Sequence, residues 1–236
     1  IHVADMDNDG DLDILSASFT DATIAWYEND GAANPTWTAA NIVTNATGAS
    51  NVSAVDIDND GDMDILSTSA NNDKVIWYEN DGAADPSWTA ITISSAADYV
   101  EGLHYADLDN DGDMDVLSAS YNDDKLAWYE SNGAASSSQT ARGISAWTEV
   151  VAGSSFDNAN DVIHADIDGD GDLDMVAVSS GNDDDVSWFI NDGSPAGAGW
   201  TEVVIDNDLD NALSVAVADV DNDGDLDVIA GSGANS

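Results

Sequence analysis

The sequence has no cysteine, three prolines and only three cationic side chains, Lys74, Lys125 and Arg142, against 48 acidic residues. Each shortage excludes something. Without cysteine no disulfide framework exists, so whatever staples this fold is of another kind. A net charge of −45 rules out electrostatic binding to nucleic acid or to an anionic membrane surface. No run is long and apolar enough to insert into a membrane, and no signal-peptide or lipid-anchor pattern is present. What remains is ordinary for a folded domain: 236 residues, 43% of them apolar, can bury a substantial core.

The acidic residues are not spread evenly, because 25 of them fall in five copies of one nine-residue stretch. The copies place aspartate at every odd position. They are Asp5, Asp7, Asp9, Asp11 and Asp13; Asp56, Asp58, Asp60, Asp62 and Asp64; Asp107, Asp109, Asp111, Asp113 and Asp115; Asp166, Asp168, Asp170, Asp172 and Asp174; and Asp219, Asp221, Asp223, Asp225 and Asp227. Glycine holds the sixth position in all five. Five carboxylates so close together repel one another, and a merely solvated acidic face has no need of such regularity.

A hard cation resolves the repulsion. Ca²⁺ accepts six to eight oxygen ligands with loose angular demands, whereas Mg²⁺ requires near-octahedral geometry and keeps its waters. Zinc finds none of its preferred thiolate and imidazole donors in these loops. The expected ligands are the side chains of the first, third, fifth and ninth aspartates and the backbone carbonyl of the seventh, giving five Ca²⁺ sites. The start of the loop mimics an EF-hand, but the twelfth position, where that motif needs glutamate, holds Ser16, Ser67, Ser118, Ala177 and Ala230. Five bound ions would leave a net charge of about −35, so the surface stays acidic. Extracellular calcium modules operate at about 10⁻⁴ to 10⁻³ M, which points to a secreted or cell-surface location.

The loops recur at spacings of 51, 51, 59 and 53 residues, the range of propellers and solenoids. One tryptophan follows each of the first four loops by 21 or 22 residues (Trp26, Trp77, Trp128, Trp188), and another precedes the next loop by 19 (Trp37, Trp88, Trp147, Trp200). In the second copy, four short apolar and β-branched runs read as strands: Val52 to Asp56, Asp64 to Ser69, Val75 to Tyr78 and Trp88 to Ile93. The metal loop joins the first two, and Asn71-Asn72-Asp73 and Asn80-Asp81-Gly82 supply turn chemistry for the others. The fold class predicted is all-β: a β-propeller-like array of four-stranded antiparallel blades at about 1–51, 52–102, 103–161 and 162–212, with a half blade over 213–236. The chain opens directly on a strand, which suggests a segment of a longer polypeptide.

The first tryptophan set reads as packing between blades rather than as an aromatic platform for sugars; the second reads as partly exposed. His2 and His104 stand three residues before their loops, where Ser53, Ile163 and Ala216 stand in the other copies, and read as hydrogen-bonded structural histidines. The third repeat carries eight extra residues through Ser136 to Gly143, read as a surface loop, with Arg142 inside it expected to clamp a carboxylate of this chain. Two sequons, at Asn45 and Asn51, match the N-glycosylation pattern.

Strand, aspartate-rich loop, strand and two further strands, repeated, resemble the FG-GAP/VCBS-type repeats related to the calcium-binding blades of integrin α-subunit propellers. The resemblance spans nearly the whole chain, although the Phe-Gly and Gly-Ala-Pro signatures are absent and stretches such as Ile24 to Asn29 look more like secreted bacterial members. It implies Ca²⁺ bound by the positions named above, and a role in surface or adhesion proteins. The expected function is therefore a calcium-stabilised extracellular structural or adhesion module. Its partners are other protein chains or further copies of itself, added at the unfinished blade edge to build a larger propeller or a filament. A lectin-type propeller binding extracellular glycans is the alternative. A propeller glycosidase or lyase ranks last, since no nucleophile with its base appears and the carboxylates are accounted for by metal, so no enzyme activity is expected.

Overall fold

A computed structural model describes residues 1–131, 147–181, 184–195 and 200–233. The extra residues Ser136 to Gly143, with Arg142, lie outside the described residues. The protein is all-β, with a single 3₁₀ turn at Ala70–Asn72 among the described residues. Blade 1 comprises β1 (His2–Ala4), β2 (Asp13–Ser18), β3 (Thr23–Asn29) and β4 (Trp37–Val43). Blade 2 comprises β5 (Ala49–Val55), β6 (Asp64–Ser69), β7 (Lys74–Asn80) and β8 (Trp88–Ser94). Blade 3 follows with β9 (Val100–Ala106), β10 (Asp115–Ser120), β11 (Lys125–Ser131) and β12 (Trp147–Gly153). Blade 4 has β13 (Ala159–Ala165), β14 (Asp174–Ser179), β15 (Val186–Asn191) and β16 (Trp200–Asp206), and β17 (Ala212–Ala218) pairs with β18 (Asp227–Ser232) alone. In each blade the strands are hydrogen-bonded in sequence order and antiparallel, so every connection is a hairpin.

The turns follow from residues that tolerate positive φ. Asp73, at φ 57°, closes the 3₁₀ turn between β6 and β7, and Gly82, at φ 67°, opens the connection between β7 and β8. At Gly82 space matters as much as backbone angle, since a Cβ there would fall 2.2 Å from Asp62 Oδ2. Glycine is the residue that leaves room for the loop's seventh carboxylate.

By internal contacts the chain forms two compact units, one over Ile1–Val100 and one from Glu101 onward. Within the first, blades 1 and 2 bury Met6, Leu15, Ile24, Trp26, Val52 and Ala54 together with Ile65 and Tyr78. Within the second, blades 3 and 4 bury Leu117, Leu126, Trp128, Phe156, Met175 and Phe189, and the two phenylalanines meet edge to face. Another cluster joins Val176, Val178 and Val186 of blade 4 to Ala212 and Val215 of β17. Trp26, Trp77 and Trp128 are buried as interior residues, each worth roughly 4–6 kcal/mol of gross transfer free energy for about 150–250 Å² removed from water. Trp188 is half-buried, as are Trp88, Trp147 and Trp200, while Trp37 is exposed.

Candidate metal sites

Each acidic loop connects the first strand of its blade to the second, so strand pairing brings its two ends together. The loop's own backbone then fixes the carboxylates. In the second loop, Asp56 accepts the N–H of Asp60 at 3.0 Å and that of Gly61 at 2.9 Å, and Asp60 accepts the N–H of Asp62 at 2.9 Å. Asn59, at φ 57°, and Gly61, at φ 100°, provide the left-handed backbone that points these N–H groups inward. Loops one, three and five repeat the arrangement residue for residue.

The ninth aspartate is the anchor. Asp64 is buried, and its Oδ2 accepts the N–H of Ile57 at 3.2 Å while its Oδ1 accepts that of Asn80 at 2.8 Å. Asp13, Asp115 and Asp174 are held the same way, by Met6 and Asn29, by Leu108 and Ser131, and by Ile167 and Asn191. The carboxylate therefore ties the loop to the end of the third strand. The Asn80 side chain adds a bond to the carbonyl of Met63 at 3.0 Å and another to that of Met6, in blade 1, at 3.1 Å. The Trp77 and Trp128 indoles lie beside Asp64 and Asp115.

In loops one, two, three and five, carboxylate oxygens of the first, third and ninth aspartates lie within 4.8 Å of one another: Asp5, Asp7 and Asp13; Asp56, Asp58 and Asp64; Asp107, Asp109 and Asp115; Asp219, Asp221 and Asp227. Two oxygens on opposite sides of one Ca²⁺ stand about 4.6–5.2 Å apart, so the clusters have the dimensions and the oxygen-only donor set that calcium requires. In the fourth loop the cluster is instead Asp166, Asp168 and Asp170. There Gly169 replaces the asparagine of the other copies, and Asp166 Oδ1 is buried without a hydrogen-bond partner among the described residues. The fifth cluster is exposed, and among the described residues Asp227 keeps only the Val220 N–H, at 2.9 Å.

The fifth aspartates outside loop four, Asp9, Asp60, Asp111 and Asp223, stand outside these clusters and cap the seventh N–H. The seventh aspartates are likewise not among the grouped residues. Asp62 instead accepts a bond from Asn8 of the preceding loop at 2.7 Å, and Asp172 accepts one from Asn110 at 3.4 Å. These links between loops have no trace in a single repeat.

Burial, and for some of them repulsion from neighbouring carboxylates, pushes a subset of the loop carboxyls up. Asp64 is raised to about 8, chiefly by burial, and Asp115 to about 7. Burial and the neighbouring Asp60 raise Asp58 to about 6, and burial raises Asp7, Asp109 and Asp174 as well. Carboxylates that resist ionisation in the folded chain are ionised again by a dication between them.

Of the histidines, His104 has its Nδ1 3.0 Å from that of His164 on the first strand of blade 4. Burial lowers both, and His104 helps push His164 down to about 4. Aligning the repeats on their loops hides this pair, since His104 stands three residues before its loop and His164 two, and neighbouring strand positions face opposite ways.

No curated protein matches this chain. Among solved structures, an Agrocybe aegerita lectin, described by its specific recognition of non-reducing terminal N-acetylglucosamine, is similar over 97% of this chain, at 16% identity and a TM-score of 0.59. This chain spans 59% of that lectin's length. The V. cholerae biofilm matrix protein Bap1 aligns over 91% of this chain and 40% of its own, at 17% identity and a TM-score of 0.36. The FG-GAP-like repeat matches four times, at residues 5–67, 56–118, 107–177 and 166–230, and by those matches the chain belongs to the FG-GAP-like repeat family.

Proposed function

We propose that this chain is a calcium-stabilised extracellular repeat module that acts by adhesion or assembly rather than by catalysis. One observation carries the reading: in every loop three carboxylate oxygens converge within 4.8 Å, an arrangement that a multivalent cation makes favourable. Calcium is the ion of choice because all donors are oxygens and Ca²⁺ accepts irregular angles that the near-octahedral shell of Mg²⁺ does not. Five ions are expected, held by the first, third and ninth aspartates and the seventh carbonyl, with Asp170 as an additional ligand in loop four.

Assembly is supported by faces that other blades bury. In blade 2, Ile65 and Tyr78 are buried in the cluster shared with blade 1. Their counterparts Ile14 and Tyr27 line a groove of about 350 Å³ with Trp37, and Val3 beside them is exposed. β18 likewise leaves Ile229 exposed, with Leu213 exposed on β17. Such faces and edges take a further blade or strand, from the same polypeptide, from another copy or from another repeat-bearing protein.

The test is metal analysis and light scattering on the intact chain. Five Ca²⁺ per chain, together with calcium-dependent self-association, is the expected result. A stoichiometry near zero would overturn the calcium reading. Five ions in a chain that stays monomeric yet binds terminal sugars on a glycan array would replace assembly with a lectin function.

A further inference from the structure

Apart from the acidic clusters, the structure brings two imidazoles to one point. His104 stands on β9 and His164 on β13, the first strands of blades 3 and 4, with their Nδ1 atoms 3.0 Å apart and their rings edge-on at 65°. Both are half-buried in the wall of a cavity of about 640 Å³, which Tyr105, Asn110 and Met114 also line.

We propose that His104 and His164 form a binding site for one divalent transition-metal ion, Ni²⁺, Cu²⁺ or Zn²⁺, separate in place and in chemistry from the calcium loops. Two imidazole nitrogens, each about 2.0–2.1 Å from a shared ion, stand about 2.9 Å apart at a right angle and about 3.4 Å apart at the tetrahedral angle. The observed 3.0 Å falls inside that interval. Imidazole suits this class of ion, whereas Ca²⁺ takes oxygen, so the two kinds of site sort the ions between them.

The surroundings fit a dication. Asp166, the first aspartate of loop four, lines the same cavity and adds negative charge beside the pair. The cavity that both histidines line has room for water or for a donor atom of a bound molecule to complete a coordination shell. An ion here would also pin blade 3 to blade 4 directly. A plain hydrogen bond between the rings gives the same separation but captures no metal, and experiment separates the two.

The chain has one other histidine, His2, so the measurement is made on the His2→Gln chain, where any imidazole signal comes from the pair. With calcium held at millimolar concentration to fill the loops, Ni²⁺ and Zn²⁺ binding is followed by calorimetry and Cu²⁺ by electron paramagnetic resonance. One ion per chain is expected, with two nitrogens coupled to copper. Adding His104→Gln or His164→Gln should weaken binding at least about tenfold, while calcium stoichiometry and circular dichroism stay unchanged. No uptake at calcium saturation would overturn the proposal, as would uptake that both substitutions leave intact. Should either substitution unfold the chain, the copper spectrum of the His2→Gln chain decides alone: two coupled nitrogens support the site, and an all-oxygen spectrum ends it.

Discussion

Within one loop the five aspartates have the same chemistry but different work, and their positions decide what each loses on substitution. Asp64→Ala removes the acceptor of two backbone N–H groups, those of Ile57 and Asn80, in a buried setting. Each unpaired N–H costs about 1–3 kcal/mol, so a loss of roughly 2–6 kcal/mol is expected in urea unfolding with calcium present. Asp62→Ala should cost about 1 kcal/mol or less, because its side chain gives up one exposed bond from Asn8. The same carboxyls set a pH dependence. In the folded, calcium-free chain Asp58, Asp115 and Asp64 are raised to about 6, 7 and 8. The folded chain then holds more protons than the unfolded one, so these groups favour the fold below about pH 4 and lose that contribution as pH rises through 6 to 8. In EDTA the melting temperature should fall from about pH 5 to pH 8. With millimolar calcium the trend reverses, since protons and Ca²⁺ compete for the same oxygens.

At the level of elements, the loop-strand-turn grammar of a blade was legible because it repeats, with each signal local: alternate aspartates, a glycine at the turn, a tryptophan at fixed spacing. The edges were less so. Sequence placed strand five at Val52 and the structure begins it at Ala49, since Gly48, at φ 74°, rather than the aspartate spacing sets where pairing starts. The role of Asn80 and its equivalents was invisible, because the N–H that holds the ninth aspartate belongs to the backbone of another strand. Equal motifs also predict equal sites, and packing breaks that equality. Asp64, Asp115 and Asp174 are buried and doubly held, whereas Asp227 is exposed with a single N–H partner among the described residues. Stepwise chelation should therefore release the fifth ion first, as a weak phase that Asp227→Ala abolishes and Asp64→Ala leaves in place. A single phase of five equivalent ions would show that loop sequence, not strand support, sets affinity.

For the whole molecule, the question is whether calcium acts against the global charge of −45 or against local crowding. Five dications change the total only to about −35, so a global effect would be small and ordinary salt could stand in for it. Local crowding is another matter. Salt at 1 M shortens the screening length to about 3 Å, from about 30 Å at 0.01 M, which mutes repulsion between blades but acts only partly on oxygens held within 4.8 Å of one another in partly buried loops. Binding to the native state, by contrast, stabilises by about 2.7 kcal/mol per site at a hundredfold excess over Kd. In EDTA, raising sodium chloride from about 0.01 to 1 M should lift the melting temperature without restoring the calcium-loaded value, and in saturating calcium the same change should move it little. Calorimetric scans at the four combinations check this. Full rescue by salt alone would assign the stabilisation to net charge and leave the convergence of Asp56, Asp58 and Asp64 without an energetic role.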